Sequence, residues 1–227
     1  MRPQTAARFP RLMIPLVVGL MLGAGVTFAQ DSAKFTGTNP DVGLTDAQRT
    51  ANIQALKERN FKWLEDFIQQ GRDPALLPVV ELPTYSAGAQ TLADARSQSS
   101  LVVNAVVHAV SYVPNPDGLT LSEATLSVVR SSRAAPATLV VVQIGGPAWS
   151  PTGGELQQLE GDPLLLPAQQ VILLLHPRGG GNANEYQTVY GAGVYPIVNG
   201  VIQVAAHNPL ADQVTGLTAN EAFDLFR

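Results

Sequence analysis

The sequence predicts a mainly β fold of the α+β class: a small Greek-key barrel of five to seven strands, with a long helix before it and a short one after it. A small β-sandwich carrying the same helices is the alternative. Three observations predict this. Leu101–Val113, LVVNAVVHAVSYV, is the longest run of strand-forming residues in the chain. Two further runs, ATLVVVQI at 137–144 and the VILLL core of 170–176, are apolar on both faces, as covered central strands are. Composition agrees: 20 Gly and 17 Pro in 227 residues, 45% hydrophobic and 14% charged, suit a domain rich in strands and turns.

The chain opens with a targeting segment at residues 1–29, a signal peptide or an N-terminal membrane anchor. Arg2, Arg8 and Arg11 precede the uncharged run Leu12–Ala29, and Thr27-Phe28-Ala29 fits a signal-peptidase site. Eighteen residues barely span a bilayer. Cleaved or not, the positive flank places the remainder outside the cytoplasm, secreted or in the cell envelope. The chain then meets the membrane only through residues 12–29, and only if they are retained. Residues 30–44, polar with Gly and Pro, read as a flexible spacer.

Residues 45–99 form a helical and Pro-rich extension. Thr45 with Gln48 makes a capping box for a helix over 45–71. Ile53, Leu56, Trp63, Leu64, Phe67 and Ile68 form its apolar stripe, expected to pack on the β domain. Gly71 and Pro74 end it. Residues 72–89 are expected to be irregular, running extended across the barrel, and Thr91 with Asp94 begins a short helix to about Gln98.

Residues 100–227 are the β domain. In its founding strand the odd positions from Leu101 to Val113 form the expected core face. The even positions are mixed and are expected to meet solvent or the N-terminal helix; Asn104 and His108 share that face as ordinary strand residues. Leu119–Val129 should pair with this strand. Gly145–Gly154 reads as a loop around Trp149, whose indole either stands exposed for stacking on a sugar or peptide or, the favoured reading, plugs the end of the barrel; 155–166 is ambiguous with room for a short strand. Glu185–Tyr190 sets Tyr186, Thr188 and Tyr190 on one face. Asn199-Gly200 between two short apolar runs is a strong hairpin signal. Thr218 and Glu221 cap a C-terminal helix.

Several chemistries lack their signatures. With no Cys there is no disulfide, thiolate metal site or cysteine nucleophile. G-x-S-x-G, S-x-x-K and H-E-x-x-H are absent, and the glycine runs at 145–146 and 179–181 lack P-loop or dinucleotide spacing. From Gln30 onward there are 11 basic and 18 acidic residues, a net 11 − 18 = −7, which argues against nucleic acid. No cofactor, metal site or catalytic residue is expected, and the chain reads as a non-enzyme. An envelope hydrolase using His176, Glu185 and Asp162 is the remote alternative. A membrane-tethered structural protein is the other. The leading expectation is an extracytoplasmic binding or interaction module of unknown ligand or partner. Its candidate ligand-binding residues are Trp149, Tyr186 and Tyr190.

The motif order TLADARSQSSLVVNAVVHAV, VVR, ATLVVVQIGG, PLLLPAQQVILLLHP, then a tyrosine strand and an Asn-Gly hairpin, resembles a broad group of exported bacterial proteins of unknown function. The resemblance covers about residues 90–227. It implies an OB-fold-like barrel, similar in layout to netrin-type modules, and carries over no catalytic residue. Ala105, and Ala168-Gln169, stand where the group tends to have Gly and Gly-Glu.

Overall fold

The computed structural model describes residues 44–82, 88–115, 118–204 and 207–227. It is mainly β, with a mixed sheet of nine strands and a few helices. The chain divides into two compact units, Met1–Arg49 and Thr50–Arg227. In the first, the expected leader and all of the spacer but Leu44 lie outside the described residues. What is described there is a helix start: Thr45 Oγ1 accepts from Gln48 N at 3.3 Å, and Gln48 Oε1 from Thr45 N at 2.8 Å. Among the described residues no helix is long and apolar enough to cross a membrane.

The elements run α1 (Asp46–Gln69), a 3₁₀ turn (Pro74–Leu76), β1 (Val79–Leu82), α2 (Leu92–Gln98), β2 (Leu101–Pro114), β3 (Thr120–Ser131), β4 (Thr138–Ala148) and β5 (Glu155–Leu159). There follow β6 (Gln170–Pro177), β7 (Glu185–Thr188), β8 (Val194–Val198), β9 (Val201–Ile202), α3 (Ala211–Val214) and α4 (Ala219–Phe226). The strand order is β1-β5-β4-β3-β2-β6-β8-β9, and β7 pairs with both β4 and β6. The β1–β5 and β4–β7 pairs are parallel and the rest antiparallel.

β6 anchors the core because it is apolar on both faces. Val171, Leu173 and Leu175 join Leu101, Val103, Ala105, Val107, Leu126, Leu139 and Val141 in one buried cluster. Ile172 and Leu174 join Val102, Tyr195, Phe223 and Phe226 in a second. The second cluster exists because α4 and α2 cover that face. Both helices are held by full capping boxes, Thr91–Asp94 and Thr218–Glu221. The even face of β2 therefore meets the C-terminal helix at Val102, rather than solvent or the N-terminal helix.

The odd-numbered core face expected of β2 holds only as far as Val107. Val107 faces Leu126 and Ala109 faces Thr125, so His108 is an extra residue on this strand. Such a bulge inverts the alternation beyond it. Ala109 and Ser111 turn outward, and Val110 packs on the buried cluster instead. A second irregularity leaves Val129 as the extra residue on β3, where it is 63% exposed.

Gly145 and Gly146 are not part of a loop. They are the point at which β4 changes partners, from β3 over 138–144 to β5 over 145–148. Both have positive φ, at 130° and 144°. A Cβ on Gly145 would strike the Gln157 carbonyl, and one on Gly146 would come within 2.6 Å of Thr120 Cγ2. The loop proper is thus 149–154. β1 lies within the stretch expected to be irregular; flanked by Pro78, it is too short to show as a pattern. The Asn199-Gly200 turn has φ of 53° and 83°, both positive as a type I′ hairpin requires.

Candidate functional site

α1 lays its C-terminal half on the β domain. Leu64 and Phe67 are buried, while Ile53, Leu56 and Ile68 stay about half exposed, at 55%, 53% and 47%. The stripe is therefore only partly used in packing. Trp63 stacks on Phe67 with ring centroids 5.1 Å apart. It also covers Gly154, where any Cβ would strike the indole.

A cleft of about 360 Å³ opens between α1 and the strand ends. Ile53, Leu56 and Lys57 form one wall, and Gly118, Leu119, Ala148, Trp149 and Gln157 the other. Asn60 sits between the two walls and fixes their geometry. Its Nδ2 donates to Gly118 O at 3.0 Å, and its Oδ1 accepts from Trp149 N at 2.8 Å. One helical amide thus ties the β2–β3 connection to the β4–β5 loop. Beside it Thr120 Oγ1, donating to Pro147 O at 2.8 Å, ties the first residue of β3 to the end of β4. Inside the 149–154 loop, Ser150 Oγ accepts from Gly154 N at 3.1 Å. Trp149 itself is half-buried, with the Arg59 guanidinium 4.7 Å from its ring centroid. That is cation–π range. The indole is neither a free flag nor a sealed plug. Its backbone is fixed and one ring contact is occupied, yet it still lines an open cleft.

A second cleft of about 370 Å³ lies further along α1, lined by Phe67, Ile68, Arg72, Val110, Tyr112 and Pro167, among others. Burial, and then the Asp73 carboxylate, push the Tyr112 phenol up to about 12.

Among the described residues, Trp149 and Tyr190 line two different clefts, and Tyr186 packs elsewhere. Tyr186, half-buried, packs against the buried cluster of β2, β3, β4 and β6. Tyr190 lies beyond the end of β7, so the expected alternating tyrosine face is interrupted there. It lines a cleft of about 210 Å³ with Gly88, Gln90, Glu160, Gly191, His207 and Pro209. There His207 Nδ1 is 2.8 Å from Glu81 Oε2 and 3.9 Å from Glu160 Oε1.

His176, Glu185 and Asp162 each bond elsewhere. His176 Nδ1 meets its neighbour Pro177 O at 3.3 Å. Glu185 takes Arg178 Nη1 at 3.2 Å and the Asn182 amide, and the Asn182 bond chiefly holds its carboxyl below the usual range. Asp162 is buried and accepts from Thr188 Oγ1 at 2.9 Å, while its Oδ1 meets no hydrogen-bond partner among the described residues. Burial pushes its carboxyl up to about 7, against the opposing pull of Thr188 and Gln143. Asn104 accepts from Gln170 Nε2 at 3.2 Å, and His108 Nε2 meets Ser127 Oγ at 2.6 Å. Among the described residues no group of three or more His, Cys, Asp or Glu is placed to hold a metal.

Sequence reasoning named Trp149 as a candidate, and the structure places it on a cleft; it did not name Asn60, whose amide ties the two walls together. The only signal was an amide of modest helix propensity in the middle of a strong helix. Compared with known protein families, curated proteins and solved structures, the chain finds no match.

Proposed function

We propose that this chain is an exported, non-enzymatic extracytoplasmic binding module, built on an OB-like Greek-key barrel, and that its ligand enters the cleft beside Trp149. The observation that carries the binding reading is the state of that indole. It is half-buried at the mouth of an apolar cleft, with its backbone held by Asn60 and its ring met by Arg59. An aromatic fixed before the ligand arrives loses little freedom on binding. The cleft suits a ligand with an apolar or ring-shaped portion. The export reading rests on residues 1–29.

The barrel reading is supported by a ring of pairings: β2 to β3, β3 to β4, β4 to β7, β7 to β6, and β6 back to β2. The closing pair is short, Val140 with Glu185 and Val141 with Tyr186. The apolar cluster drawn from β2, β3, β4 and β6 fits the inside of such a ring. A sandwich would not need the β4–β7 pair. Nuclear Overhauser contacts between the backbones of 141 and 186 in solution separate the two.

The ligand reading is tested by thermal shift of the purified protein against envelope glycans, peptides and lipids. A ligand at 100 times its Kd should add about 2.7 kcal/mol of stability. Trp149→Ala should then weaken binding by about tenfold, about 1.4 kcal/mol, with the fold intact. Asn60→Ala should weaken it too, by releasing both loops. Unchanged affinity in Trp149→Ala, or a panel with no shift at all, overturns the assignment of this cleft.

A further inference from the structure

From Asp73 to Arg227 the sequence has five arginines, no lysine and twelve Asp or Glu side chains. Such a surface repels anions. Yet three of the five arginines, Arg96, Arg133 and Arg227, line a single cleft of about 300 Å³, and no Asp or Glu side chain lines it with them. The rest of the lining is Ser99, Ser100, Ser132, Leu101, Val102 and Phe226. The cleft shares no residue with the Trp149 cleft.

The neighbouring carboxylates are already engaged. Asp224 takes Arg130 Nη2 at 2.8 Å, and Asp94 takes the hydroxyl and backbone of Thr91. Arg96 is held in place, its Nε and Nη2 both donating to Leu225 O. That leaves its Nη1 edge for another acceptor. Arg133 is exposed on the β3–β4 loop, with no hydrogen bond or ion pair among those described. Ser132 Oγ accepts from Val102 N at 3.0 Å, so its own proton remains to donate. Ser100 Oγ points instead to Leu175 O, at 3.3 Å.

We propose that this cleft binds a small phosphate monoester. Guanidinium forks match the geometry of phosphate oxygens, and charge-assisted bonds of this kind are strong. The serine hydroxyls of 99 and 132 supply neutral donors beside them. Three cations in a cleft of this size suit a small ligand and fall short of the six to ten phosphate contacts typical of a tightly bound nucleic acid. The phosphate arrives either on a soluble metabolite or on a lipid headgroup, and the recognition chemistry is the same.

The test is a titration of the isotope-labelled protein, followed by amide chemical shifts, with inorganic phosphate and with glycerol 3-phosphate at constant ionic strength. Binding to vesicles of phosphatidylcholine with and without phosphatidic acid forms the second arm. Saturable shifts at Ser99–Val102 and Ser132–Arg133 are expected, weakened about tenfold in Arg133→Gln and in Arg96→Lys. Arg178→Gln, which removes a cation bound to Glu185 outside the cleft, should bind as the parent does. Binding to phosphatidic acid vesicles with weak glycerol 3-phosphate binding assigns the site to lipid, and the reverse assigns it to a soluble phosphate. Shifts confined to other residues, unaltered affinity in Arg133→Gln, or no saturable response in either arm overturns the proposal.

Discussion

α1 and α4 differ in how they use their length. α4 has 8 residues and buries three of them, Ala222, Phe223 and Phe226. α1 has 24 residues and buries two, Leu64 and Phe67. Phe226 lies against Tyr195 with ring centroids 4.5 Å apart, and the Arg130 guanidinium sits 4.1 Å from the Phe223 ring centroid. α4 therefore finishes a core that β6 leaves half built. α1 leaves two clefts along its side and keeps half-exposed Ile53, Leu56 and Ile68 beside them. A helix that seals and a helix that lines a groove are told apart by what their apolar residues touch, and length says little about it.

The largest effect should come from the sealing helix. Phe223→Ala removes a fully buried ring and should cost about 3–5 kcal/mol, read as a lowered midpoint in urea unfolding. A loss below about 1 kcal/mol would break the contrast between the helices. The sheet itself can be perturbed without touching either helix, through Asp162. Its carboxyl ordinarily titrates at 3.8 and is pushed up to about 7 in the fold. Between those values the folded protein keeps a proton that the unfolded chain has released, so stability falls as pH rises from about 4 to about 7. The fall should be on the order of a few kcal/mol and should flatten above pH 7. Asp162→Asn should abolish most of that slope, as unfolding curves between pH 4 and 8 would show. The smallest effect belongs to α1's exposed stripe. Ile53→Ala should change stability by no more than about 0.5 kcal/mol. A loss several times larger would mean that this face is covered in solution.

Much of the architecture is written locally. The two-sided apolar run of β6, the three capping boxes and the Asn-Gly turn each follow from a few neighbouring residues, and each is found in place. What escaped sequence reading depends on partners distant in the chain. The inversion of β2 at His108 is set by the register of β3. The strand identity of Gly145–Ala148 is set by β5, since two positive-φ glycines look like a loop until a partner strand is beside them. Asn60 gains its role only when the connections carrying Gly118 and Trp149 arrive on either side of it. The arginine cleft is assembled from positions 96, 133 and 227. Trp149 stands out in the stretch Gly-Gly-Pro-Ala-Trp-Ser-Pro and was named from it alone, whereas Tyr186 and Tyr190 were named from an alternation that the end of β7 breaks.

β1 and β9 end the sheet, with four and two residues. An open strand edge is a template on which another chain can add, and fibrils grow in this way. Here the template is barely offered. Pro78 precedes β1 and Pro83 follows it in sequence, neither with an N–H to donate, and Glu81 puts a charge on the edge strand itself. At the other end Val201 is already bridged to Thr218. A chain with so much valine and leucine in its strands thus carries its own guard against self-templated aggregation.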